Sequence, residues 1–204
     1  MTTQDQPDFQ ENKAGSVLAY TPSHLIALYT NAQWGHCYEN SFRAFFAFPT
    51  LFFPDGKFVE GWVVFTSATR VALMEHSWLI SGAVIIDPTL VLEITPNQAV
   101  FFYPGVIRSW TETDQLENEL FPHVRFSDYG EDGMGHPGYN AAYVAAKQKA
   151  QELLTPTQKF VEVKATELSA TQEQGETSDA TEVIIVITKK GEEPEDPTQK
   201  RDQE

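Results

Sequence analysis

The run Glu75-His76-Ser77-Trp78-Leu79-Ile80-Ser81-Gly82-Ala83-Val84-Ile85-Ile86-Asp87-Pro88-Thr89 carries the strongest fold signal in the chain. Residues 71–80 and 83–87 are β-rich, and the dipeptide Ser81-Gly82 between them suits a two-residue hairpin turn. With Ser81 and Gly82 as the loop, Ile80 stands opposite Ala83, Trp78 opposite Ile85 and His76 opposite Asp87. Cβ atoms directly across an antiparallel pair are about 4.5 to 5.5 Å apart, so the Asp87 carboxylate reaches one imidazole nitrogen of His76. A slip of one residue would put the two on opposite faces. Apart from Glu75, His76 and Ser77, residues 71–80 are apolar on both faces, the pattern of a central strand covered on two sides. Polar residues in the middle of such a strand need a reason.

Working outward, Thr21-Pro22 reads as an N-cap with a first-turn proline, and Leu25, Ile26, Leu28, Tyr29 and Ala32 recur at helical spacing. This predicts a helix to about Ala32. After a loop through Gly35, Tyr38, Phe42, Phe45 and Phe46 mark one face of a second helix that ends near Pro49, with Cys37 in its first turn. Pro54-Asp55-Gly56-Lys57 is turn chemistry leading into a strand over 58–65, where Gly61 signals a bulge or a close backbone approach. Short strands are expected at 90–94 and 99–103, with a break at Tyr103-Pro104-Gly105-Val106 before an edge segment. A short helix over 111–120 with Glu112 in its first turn, a loop over 127–139 and a helix of good propensity over 140–154 follow. Residues 160–163 and 183–188 are expected to pair as a peripheral hairpin or as edge strands.

Cys37 is the only cysteine in the chain. The thiolate is the nucleophile, and a helix start and a neighbouring imidazolium both favour that anion. An aspartate that fixes the ring and tautomer of a histidine completes a nucleophile, base and orienter set. Taken singly, each residue also has a structural reading: Cys37 as a small buried hydrophobe, His76 as a satisfied core histidine, Asp87 as a turn aspartate. Their conjunction favours a Cys37, His76, Asp87 triad. Gln33 is a candidate amide donor to an oxyanion beside the Cys37 N–H, with a solvated helix-end glutamine as its plain alternative. Trp78 reads as core or pocket wall, Glu60 and Glu75 as strand carboxylates that could line a cleft, and His36 as a second-choice base. Cys37, His76, His123 and His136 have no recognisable metal spacing; no metal and no cofactor is expected.

At 204 residues with a formal net charge of -15, the chain is long enough for one domain with a substantial core. The charge argues against nucleic acid, whose recognition depends on clustered Lys and Arg. One cysteine excludes an intrachain disulfide framework and fits a reducing compartment. No apolar stretch approaches the roughly 20 residues that span a bilayer. The expectation is a cytoplasmic protein without membrane association. It comprises a flexible arm at 1–15, a catalytic domain at 16–165, and an acidic linker and tail at 166–204 whose composition buries too little apolar surface to order itself.

A Cys at a helix start, then His76-Ser77-Trp78 on a strand, then Asp87-Pro88-Thr89 on the next resembles the transglutaminase-like branch of the papain-fold cysteine enzymes, over about residues 33–89. Cys37 is followed by Tyr38-Glu39-Asn40 where classical transglutaminases commonly carry Trp. The resemblance implies an α+β fold of papain-like, transglutaminase-like type, a Cys helix packed on an antiparallel sheet. It also implies acyl transfer on an amide or ester of a peptide or protein side chain. Peptide hydrolysis, deamidation and transamidation share its first half, and a catalytically inactive interaction module with an acidic tail is the alternative.

Overall fold

The computed structural model describes residues 17–117 and 137–163. The expected arm at 1–15, the loop residues 127–136, the acidic linker, the strand at 183–188, the tail, His123 and His136 lie outside the described residues. In chain order the elements are β1 (Val17–Leu18), α1 (Tyr20–Thr30), α2 (Cys37–Ala47), α3 (Pro49–Phe52), β2 (Lys57–Thr66) and β3 (Arg70–Ser81). Then come β4 (Val84–Ile86), a 3₁₀ turn (Leu90–Leu92), β5 (Val100–Ser109), α4 (Trp110–Glu117), α5 (Pro137–Leu153) and β6 (Lys159–Val163).

Apolar sequence on both faces puts β2 and β3 at the centre of one sheet of order β1-β4-β3-β2-β5, with β6 also paired to β3. The β2 ladder to β3 runs from Lys57 opposite Ile80 to Thr66 opposite Val71. Among the described residues only β1 with β4 and β3 with β6 are parallel pairs. The fold is therefore mixed α+β with a mostly antiparallel open sheet. One face carries Phe58, Trp62, Val64, Leu73 and Leu79, covered by α2 through Tyr38 and Phe45 and by α5 through Ala142, Ala146 and Ala150. The alanines recur every four residues, a stripe of small side chains that lets α5 approach the sheet closely. The opposite face carries Val59, Val63, Met74 and Trp78 against Ile85, Leu90 and Phe102.

The second edge of β3 is shared. β4 occupies it at residues 79–81 and β6 at residues 70–74, so among the described residues Glu75 to Trp78 have no strand on that side. The first turn of α2 meets this gap: Ser77 Oγ donates to the Cys37 carbonyl at 2.9 Å, and Ser41 Oγ donates to the Ser77 carbonyl at 3.0 Å. Side-chain hydroxyls thus tie the start of the helix to the backbone of the strand and the strand to the helix. The gap brings the cysteine and the polar middle of β3 together.

Several expectations are corrected. The hairpin loop is Gly82-Ala83, with Ile80 opposite Ile85 and Leu79 opposite Ile86; Gly82, the first loop residue, supplies the positive φ of 58° that such a turn needs. Residues 90–94 are not a strand, because Asp87 Oδ1 accepts the Thr89 and Leu90 amides and turns the chain into the 3₁₀ helix. β5 runs unbroken through Pro104-Gly105; the expected break is a bulge, with Gly61 opposite Pro104 and Glu60 opposite Val106. Proline is tolerated there because β5 is an edge strand. Residues 160–163 form β6, which pairs in parallel with the central strand β3; their other expected partner, 183–188, lies outside the described residues. α5 begins at Pro137, a first-turn position that suits proline, so its first residues are not loop. α1 begins after Ala19 with Thr21-Pro22 already inside it, ends at Thr30, and buries Ser23, Ile26, Ala27 and Thr30, leaving Leu25, Leu28 and Tyr29 exposed.

Candidate active site

Asp87 lies just beyond β4 and is fully buried. Its backbone N–H donates to Ser23 Oγ at 3.0 Å, and Ser23 Oγ donates onward to the Ala19 carbonyl at 2.7 Å. Carboxylate oxygen Oδ1 accepts the amides of Thr89 at 3.1 Å and Leu90 at 2.8 Å. Oδ2 is 2.8 Å from His76 Nε2. The two oxygens thus serve different partners, Oδ1 the turn amides and Oδ2 the imidazole.

His76, also fully buried, stands on β3 opposite Gly61 and stacks near-parallel on Trp78 with ring centroids 6.5 Å apart. Burial opposes the imidazolium; the Asp87 carboxylate and, after it, Cys37 outweigh that, and the pKa rises from about 6.5 to about 10. Its other nitrogen, Nδ1, is buried with no protein hydrogen-bond partner among the described residues. Cys37 contributes to the rise in pKa both through its charge and as a side-chain neighbour of the ring.

Cys37 is the first residue of α2 and 5% exposed. The His36 side chain makes no capping hydrogen bond to this helix. The thiol, His76 and Glu75 share the wall of a pocket of about 180 Å³. Trp34, Gly35 and Thr89 form one side, Met74, Val161 and Val163 the sheet side, and the ion-paired Arg70 and Glu93 also line it.

Of the other sequence candidates, Trp78 is core: it packs on Phe102 and His76 and does not line the pocket. The Gln33 side chain is exposed and outside that wall. Glu60 is buried and paired with Arg108. Glu75, also buried, accepts from Tyr139 at 2.6 Å and Tyr38 at 3.4 Å. Burial pushes both phenols well above the ordinary tyrosine range, reinforced at Tyr38 by Tyr139 and at Tyr139 by Glu75, so both are neutral donors.

Asn40 is a residue that the sequence reading missed. Its side chain donates to the Gln33 carbonyl at 2.6 Å and to Thr89 Oγ1 at 2.9 Å, and accepts the Gln33 amide at 3.2 Å. It ties the loop before Cys37 to the turn after Asp87. The available signal was a polar residue three positions after the cysteine on a helix face that buries Tyr38 and Ser41. Among the described residues no group of three or more His, Cys, Asp or Glu could hold a metal ion, and no helix is long and apolar enough to cross a membrane. No family model matches the chain, nor does any curated protein or solved structure.

Proposed function

We propose that this protein is a cysteine-dependent acyl-transfer enzyme of papain-like, transglutaminase-like type. It acts on an amide or ester carbonyl, with Cys37 as nucleophile, His76 as proton carrier and Asp87 as orienter. One observation carries the reading: a buried imidazole is held by a buried carboxylate through one nitrogen, while its other nitrogen has no hydrogen-bond partner among the described residues and Cys37 shares its pocket wall. Charge on that ring favours the thiolate. Sγ attacks the carbonyl carbon, and the bond to the leaving group breaks as the Nδ1 proton passes to the departing amine or alcohol. Water or an amine then attacks the thioester, gives a proton back to His76 and frees the thiol. The positive end of α2, where Cys37 stands, favours the negative charge that develops on the oxyanion.

Iodoacetamide at pH 6 tests the nucleophile: native Cys37 should be alkylated at least tenfold faster than a thiol exposed by unfolding at the same pH. Cys37→Ser should abolish turnover of p-nitrophenyl butyrate while keeping the melting temperature within a few degrees, and undiminished turnover would end the thiol mechanism. The 5% exposure of Cys37 favours a second reading, an inactive module with a structural thiol. Alkylation only after unfolding would decide for it.

A further inference from the structure

We propose, resting on the thiol reading above, that the pocket beside Cys37 is an acyl pocket that selects substrates by one apolar group of roughly six or seven carbon atoms. Size comes first. A cavity of about 150 Å³ holds one benzene, whereas sites for whole drug-sized ligands begin at about 300 Å³. At about 180 Å³, this pocket accepts one side chain or a short acyl chain and excludes a nucleotide or a whole peptide.

Chemistry of the wall comes second. β6 pairs in parallel with β3, placing Val161 beside Ala72 and Val163 beside Met74. Neighbours in register share a sheet face, so Met74, Val161 and Val163 form a continuous apolar floor, with Trp34 on the loop side. The pocket's two cationic side chains are each matched to a carboxylate, Arg70 to Glu93 and His76 to Asp87. Neither cation is left over to call for an anionic substrate. Cys37 and His76 belong to the same wall, so a group seated on the floor holds its adjoining carbonyl at the thiol.

Alkyl methanethiosulfonates test this without requiring turnover. The Cys37 thiolate attacks the alkyl-bearing sulfur, a disulfide forms, and methanesulfinate leaves with the electron pair of the broken sulfur–sulfur bond. Rates on native protein, normalised to those of 2-mercaptoethanol, should rise about fourfold per methylene from methyl to pentyl, the effect of burying each group, and stop rising by octyl. Val163→Phe should flatten this dependence, and Val161→Ala should move its limit to longer chains, with circular dichroism reporting the fold of each. A flat or falling profile in the native protein overturns the acyl pocket while leaving the thiol reading intact. No native labelling by any reagent overturns both.

Discussion

His76 carries its charge where burial opposes it, and the consequence is a stability term with a definite sign. The folded pKa, about 10, lies above the ordinary value of about 6.5, so folding takes up a proton at intermediate pH. The stabilisation is fully present below pH 6.5, declines as pH rises toward 10, and is absent above it. The decline is at most about 1.4 kcal/mol per pH unit. Urea unfolding at pH 7 and pH 9 should therefore show the native protein losing up to a few kcal/mol over that span, and His76→Asn removing most of the loss. A native protein as stable at pH 9 as at pH 7 would mean that the ring is neutral in the fold. The pairing behind this term was legible in the sequence even though its register was not. The expected register set His76 against Asp87, whereas the observed ladder sets Ile80 against Ile85. A shift of two residues keeps side chains on the same face, so His76 and Asp87 still meet, at 2.8 Å.

At the scale of elements, two glycines separate space from backbone conformation. A Cβ on Gly61 would meet the Tyr103 carbonyl, Gly105 N at 2.8 Å and Trp78 Cη2 at 3.0 Å. It would force apart β2, β5 and the ring that stacks on His76. Gly61→Ala should cost about 3 kcal/mol and lower Cys37 reactivity through the displaced Trp78. Gly82 has open space but a φ of 58°, so Gly82→Ala should cost only about 1 kcal/mol, and Gly82→Asn less still, since asparagine tolerates that region. Thermal unfolding that ranks Gly82→Ala as the more damaging would refute the packing account. The bulge at Gly61 could be read from its sequence because glycine inside a strand has few other uses. The place of β6 could not. Its five residues resemble any short edge strand, and their parallel pairing to β3 depends on contacts more than eighty residues apart, as Arg70 opposite Lys159 illustrates.

At the scale of the whole molecule, a buried polar knot fastens α2 and α5 to the sheet beside the site. Tyr38 from α2 and Tyr139 from α5 both donate to Glu75 Oε1 on β3. Gly105 makes room for the second contact, since a Cβ there would lie 2.6 Å from Tyr139 Cδ2. Sequence reading offers Glu75 as a strand carboxylate that could line a cleft but names no donor for it, because its donors lie far along the chain. Distance sets the order of importance: the Tyr139 bond is 2.6 Å and the Tyr38 bond 3.4 Å. Tyr139→Phe should lower stability by about 1 to 3 kcal/mol, the cost of withdrawing a donor from a buried acceptor. It should appear as a lower urea midpoint with an unchanged slope. Tyr38→Phe should cost less. Because α2 also carries Cys37, both variants should slow alkylation of the native thiol. A Tyr38→Phe penalty equal to or larger than that of Tyr139→Phe would show that Glu75 does not anchor α5, and that the alanine stripe alone holds that helix on the sheet.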